Sequence, residues 1–260
     1  MKIFIIKSVF FSISIIVSLV FVNYFGDASD LYNSNAKKIA KILNNGDNVT
    51  NIENLNYRSI RMYSINMLKQ APDMVVLGSS RVMDFSTKHF KHNIFYNNSV
   101  PMASLEDYLS IYQCYKERNI LPKKLIIEIT PWIFNKNNNQ LGWKTLESYY
   151  NRYKNKDENI ITDAEIFTWK YRHLLSLSYF QSSLHKLILG KDTISKLINK
   201  NYNKITMLTD GSIIYPNEYS NADQKVVNDK ILWLINQKEI CGLNDFNTFS
   251  KELFLDFNNF

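Results

Sequence analysis

Between residues 58 and 129 the hydrophobic period switches repeatedly between helical and extended, and this alternation restricts the fold more than any other feature of the chain. Arg58 to Lys69 places Ile60, Tyr63, Ile65, Met67 and Leu68 near helical spacing until Ala71-Pro72-Asp73 breaks the pattern. Met74-Val75-Val76-Leu77 is then a continuous apolar run closed by Gly78, as in a strand buried on both faces. A short helix over Ser86 to Lys91, a strand over Ile94 to Tyr96, a helix over Ser104 to Arg118 capped by Ser104, and a strand over Leu125 to Ile129 follow. Strand, helix, strand, helix, strand within about 55 residues predicts an α/β fold with a parallel sheet and right-handed crossovers. Ligands of such sheets bind beyond the carboxyl ends of the strands. Here those ends are Gly78-Ser79-Ser80-Arg81, Asn97-Asn98-Ser99 and Thr130-Pro131-Trp132.

Val9 to Phe25 is an apolar run interrupted only by Ser12, Ser14, Ser18 and Asn23, and extending it back through Ile3 gives enough helix for about 30 Å of hydrocarbon. Two readings fit. A cleaved signal peptide would use Gly26 and Ala28 as the small residues before the cut. A retained anchor needs only length and charge asymmetry, and Lys2 and Lys7 before the run, with Asp27 and Asp30 after it, place the N-terminus in the cytoplasm. The anchor is the preferred reading, with residues 3–25 in the lipid bilayer and the main domain outside the cell membrane.

The 31 basic and 24 acidic residues leave a net charge of +7, but no basic run exceeds two residues, which argues against a nucleic-acid surface. Two cysteines, Cys114 and Cys241, are too few for a zinc cluster, and each lies in or beside an apolar helical stretch where a free thiol packs as a small hydrophobe. No metal or cofactor is expected. Residues 1–26 are thus read as anchor or signal, 27–70 as stalk and leading helices, and 71–260 as the α/β domain. Within the latter, about 135–205 reads as a helical insertion, with helices over Thr145 to Tyr153 and Ala164 to Leu189. Asp210-Gly211 between Thr206-Met207-Leu208 and Ile213-Ile214-Tyr215 predicts a hairpin, and helices are expected over Ala222 to Gln237 and Asp245 to Phe260.

A serine just past a strand's terminal glycine, leading into a turn and helix, holds its hydroxyl at the mouth of the sheet near the positive end of that helix. Gly78 permits the sharp turn, Ser79 and Ser80 supply hydroxyls, and Arg81 can anchor an anion or a neighbouring carboxylate. The bland alternative is a turn whose hydroxyls only cap the helix.

The run Ala71 to Arg81 resembles the first block of the SGNH (GDSL-like) hydrolase superfamily, in the membrane-anchored bacterial branch where the block reads G-S-S-R. Arg58 to Lys69, Asp84-Phe85-Ser86, Ile127 to Trp132 and Thr209-Asp210-Gly211-Ser212 resemble that branch as well. The resemblance implies a flavodoxin-like three-layer α/β/α sandwich and ester hydrolysis or acyl transfer, often on carbohydrate. It puts Ser80 in the place of the nucleophile and Ser79 in the place of the usual aspartate. It further implies an oxyanion hole from the amide at the nucleophile, from the second block at Ser99 and Met102, and from Thr130 where the family has asparagine. Met102 stands where a glycine is expected and needs a permissive backbone.

The family's base is a histidine three residues after an aspartate, and no Asp-x-x-His occurs in the chain. His89, His92, His173 and His185 all fall at positions that read as helix surface or satisfied core. The resemblance therefore implies a segment beyond Phe260 that carries the base. Glu106-Asp107 at a helix start reads as serving the helix dipole. Tyr149, Tyr150, Tyr153, Trp169, Tyr171, Tyr179 and Phe180 offer a sugar-stacking surface or, at their helical spacing, core packing. The expected function is a membrane-anchored serine esterase or O-acyltransferase acting on cell-surface polysaccharide. The alternative is a noncatalytic glycan-binding or envelope-assembly partner, or a truncated inactive homologue.

Overall fold

The computed structural model describes residues 2–32, 35–52, 55–90, 94–136, 138, 140–154, 171–188, 195–196, 202–216, 223–236 and 248–260. His92, Trp169, Cys241, Lys91 and the outer ends of the helices expected at Ala164, Leu189, Ala222, Gln237 and Asp245 lie outside those residues. In chain order the regular elements are α1 (Lys2–Gly26), α2 (Asn35–Asn44), β1 (Val49–Thr50), α3 (Tyr57–Met67), β2 (Met74–Leu77), β3 (Phe95–Asn97), α4 (Leu105–Glu117) and β4 (Lys124–Ile127). They continue with α5 (Glu147–Tyr153), α6 (Leu177–Ile188), β5 (Ser195–Lys196), β6 (Thr206–Met207), β7 (Ile213–Ile214), α7 (Gln224–Ile235) and α8 (Lys251–Asn258).

The protein is mixed α/β. Strands β3, β2 and β4 form a parallel three-stranded sheet in that order, with Val75 opposite both Tyr96 and Leu125. The centre strand is the apolar run: Val75, Val76 and Leu77 are each at most 1% exposed. Leu105, Tyr108, Leu109 and Ile111 of α4 cover it together with Ile65 of α3, so the α4 stripe faces this core while that of α3 is shared with a second one. The Ser104 cap is part of a reciprocal box in which Asp107 accepts from the Ser104 amide at 2.9 Å. Strand β4 stops at Ile127, short of Ile129, because its neighbour leaves the sheet at Gly78; the last ladder bond runs from the Glu128 amide to the Leu77 carbonyl. The Ser86 to Lys91 helix shortens to a 3-10 turn over Thr87–His89.

A second, antiparallel sheet of two-residue strands has the order β5-β1-β6-β7. Its β6–β7 hairpin turns at Asp210-Gly211, with Met207 opposite Ile213. Strand β5 comes from the expected helical insertion, past its last expected helix at Leu189, and β1 from the stretch preceding the α/β pattern. Ile39, Val49, Ile52, Ile60, Met83, Met207 and Ile213 bury a satellite core between this sheet, α2 and α3.

Helix α1 is the one described helix long and apolar enough to cross a membrane. Its polar end is docked: the buried Asn23 amide donates to the carbonyls of His173, Leu174 and Ser176 at 3.2, 2.8 and 3.1 Å. Past the helix, Asp27 accepts from the Tyr179 hydroxyl at 2.9 Å, and its carbonyl accepts from Lys186 at 2.6 Å. Tyr179 and Tyr150 are thus packed aromatics, the latter donating to Asp256 at 3.0 Å.

Asp30, in the same junction, is raised by burial and by nearby Asp27 to about 6, from an ordinary 3.8. The folded state therefore holds a proton that the unfolded chain releases between these values, and stability falls as pH rises through that window. Asp30→Asn is expected to unfold at a higher temperature than the parent protein above pH 6. The difference should vanish below pH 4 in paired thermal melts.

Candidate active site

Parallel pairing brings the three expected blocks together. Leu77 lies opposite Ile127 and Val76 opposite Asn97, so the chain ends at Gly78, Asn98 and Glu128 leave the sheet side by side. The Val100 amide donates to the Gly78 carbonyl at 2.9 Å and ties the second block to the first. Gly78 is required for this closeness: a Cβ there would lie 2.2 Å from Val82 Cγ2 and 2.9 Å from Glu128 Oε2.

Ser79 and Ser80 part company at this bend. Ser79 is buried; its amide donates to Glu128 Oε2 at 2.5 Å and its hydroxyl to Oε1 at 3.0 Å. Its Oγ also accepts from the Arg81 amide, at 3.4 Å, as the cap of the 3-10 turn Ser80–Val82. Ser80 is exposed, and among the described residues neither its hydroxyl nor its amide has a hydrogen-bond partner. The capping role therefore belongs to Ser79, and Ser80 presents a free O–H and N–H at the carboxyl end of the centre strand.

Arg81 pairs with a neighbouring carboxylate: its Nη1 lies 3.7 Å from Glu128 Oε1, and the guanidinium stacks 4.1 Å above the Trp132 ring. Since Arg81 is well exposed, the pair contributes about 0–1 kcal/mol to stability. Its geometric effect is larger, because one carboxylate positions Ser79 and Arg81 on either side of Ser80.

The other expected site residues are placed less uniformly. Ser99 is fully buried, and its amide is already engaged, donating to Asn97 Oδ1 at 3.0 Å; that N–H is turned inward and is not an oxyanion donor in this arrangement. Met102 is exposed and adopts φ 51, the left-handed conformation that glycine takes most easily. Thr130 is half-buried at the start of the 3-10 turn Pro131–Phe134, and its hydroxyl makes no cap bond.

Glu128, to which the sequence pattern assigns no role, is the group that organises the bend. The available signal was an acid set between Ile127 and Ile129 at a strand's carboxyl end, where an unpaired carboxylate is costly. Asp107 does more than serve the helix dipole. Besides closing the cap it accepts from Arg58 Nε and Nη2 at 2.6 and 2.8 Å while fully buried.

Among the described histidines, none bonds Ser80. His89 Nδ1 accepts from the Ser86 amide at 3.1 Å, His185 is exposed on α6, and half-buried His173, lowered by burial, lines a separate cavity with Arg58 and Tyr179. Cys114 is buried and unpaired, and burial pushes its thiol well above the ordinary range, which makes it inert. Among the described residues no acid, histidine and cysteine cluster could hold a metal ion. Comparisons of the chain with protein-family models, with curated proteins and with solved structures give no match.

Proposed function

We propose that the chain is a membrane-anchored SGNH-like protein whose α/β domain, a flavodoxin-like sandwich, carries an acyl-transfer site at Ser80. The observation that carries the reading is the division of labour at the bend: Glu128 holds Ser79, and Ser80 is left with an unengaged hydroxyl and amide at the strand mouth. In the reaction Ser80 Oγ attacks an ester carbonyl, a base takes its proton and returns it to the ester oxygen as the C–O bond breaks, and the alcohol leaves with the acyl group on the serine. Water or a second hydroxyl then takes the acyl group. The Ser80 amide faces the developing oxyanion, the step at which a preorganised donor is most effective. The substrate class is an O-acylated polysaccharide of the cell surface. Helix α1 is the anchor, with the domain on the outer side, a reading favoured by Lys2 and Lys7 before the apolar run and Asp27 and Asp30 after it.

The absence of an imidazole bonded to Ser80 among the described residues favours a second reading, a noncatalytic domain that holds a glycan with the same strand mouth. One experiment separates the two. The full chain in detergent micelles is treated with a fluorophosphonate probe beside Ser80→Ala and Ser79→Ala. The acyl-transfer reading expects labelling that Ser80→Ala lowers by about 100-fold or more and Ser79→Ala retains. An unlabelled parent protein supports the noncatalytic domain, and labelling that survives in Ser80→Ala overturns the assignment of Ser80.

A further inference from the structure

On the β3 side of the sheet, the end of α2, α3, β3 and the β6–β7 turn line a half-open cavity of about 350 Å³ that shares no lining residue with the Ser80 bend. Exposed Asn44, Thr87 and Ile94 line it where it reaches the surface. Its inner wall holds Arg61, whose side chain is fully buried. A guanidinium stays charged at neutral pH, and buried charges are ordinarily paired with an opposite charge. Arg61 is not: among the described residues no carboxylate lies within 4.0 Å of it. Its hydrogen bonds are to the Ser99 carbonyl, from Nε at 3.2 Å and Nη2 at 3.1 Å, and from Nη1 to the Met207 sulfur at 3.7 Å. Of its five N–H donors, two are left over.

An acid close enough to act on Arg61, Asp210, also lines the cavity but is saturated by Thr87 and Ser212. Oδ2 accepts from the Thr87 amide and hydroxyl at 2.8 and 2.6 Å, and Oδ1 from the Ser212 amide and hydroxyl at 2.9 and 2.5 Å. Two further lining hydroxyls have no partner among the described residues: Ser64 Oγ, which is itself buried, and the half-buried Tyr96 phenol. The residues that carry these spare donors and hydroxyls, Arg61, Ser64 and Tyr96, thus all line one space sized for a small organic molecule.

We infer that this cavity is a binding site for a sugar-sized molecule bearing an oxyanion, carboxylate or phosphate, with Arg61 as its ion-pair partner and Ser64 and Tyr96 as hydrogen-bond donors. A planar fork suits either group, since both offer two oxygens to parallel N–H donors. The neutral form of the same sugar would leave Arg61 as uncompensated as before.

The test is calorimetric titration of the full chain in detergent micelles with glucuronate, glucose 6-phosphate and glucose. Saturable binding of at least one acidic sugar, with a Kd of about 1 mM or tighter and no binding of glucose, is expected. The acid that saturates identifies carboxylate or phosphate as the preferred group. Ser64→Ala and Tyr96→Phe, neither of which removes a core contact, should each weaken that affinity by roughly 3- to 10-fold. Failure of both acidic sugars to saturate by about 10 mM overturns the inference. So does glucose binding equal to that of the acids, or unchanged affinity in both variants. Fluorophosphonate labelling of Ser80 is unaffected by any of these outcomes, so the two proposals fail separately.

Discussion

Asp107→Ala is expected to destabilise the protein by about 3–5 kcal/mol, the cost of leaving one member of a buried ion pair alone. The aspartate is fully buried and accepts four bonds, from Arg58 Nε and Nη2 and from the Ser104 amide and hydroxyl. Alanine strands the Arg58 guanidinium, whose side chain is 14% exposed, and removes half of the capping box at the start of α4. At about 2–4 °C per kcal/mol for a chain of this size, the thermal midpoint should fall by roughly 10 °C. The double variant Arg58→Met with Asp107→Leu should recover part of the loss, because matched apolar groups carry no desolvation penalty. A thermal-melt double-mutant cycle measures this directly. A single-variant cost under about 1 kcal/mol would mean that the pair is solvated and the fork geometry wrong.

Gly211→Val should be nearly as damaging, by about 2–5 kcal/mol, through two separate effects. The residue sits at φ 81, where a side chain costs roughly 1–2 kcal/mol. A Cβ there would also lie 2.4 Å from the Asn97 carbonyl oxygen and 2.6 Å from Arg61 Nη1, and the backbone atom cannot swing aside. Relief of that overlap adds about 1–3 kcal/mol. The hairpin must then lift from β3, breaking the 2.7 Å bond from the Asn97 amide to the Asp210 carbonyl. Limited proteolysis reports this as earlier cleavage between residues 202 and 216, and Gly211→Ala should fall between the parent protein and valine. An unchanged cleavage rate would show that the turn does not touch the sheet.

Periodicity carried the elements whose hydrophobic faces repeat over several residues. Arg58 to Lys69, Met74 to Leu77, Ser104 to Arg118 and the Asp210-Gly211 turn are legible because each is set by local sterics and a single buried face. The apolar run to Phe25 is legible for the same reason. The satellite sheet was not, apart from its hairpin, since strands of two residues have no period and β1 meets β5 and β6 only across about 145 and 156 residues of chain.

Gly78 with Ser79 and Ser80 was visible as a bend that exposes a hydroxyl. The local pattern left open which serine is free, and only the resemblance favoured Ser80, because the answer depends on Glu128, 49 residues from Ser79 and carried alongside by parallel pairing. Arg58 and Asp107, also 49 residues apart, and Arg61 beside Gly211 obey the same rule. The chain by itself determined the elements of the parallel sheet, the hairpin turn and the apolar faces that must avoid water. Only the tertiary structure decided which charged group faces which, because a desolvated charge is stabilised by whatever the packing places within a few ångströms of it, and that neighbour is not encoded locally.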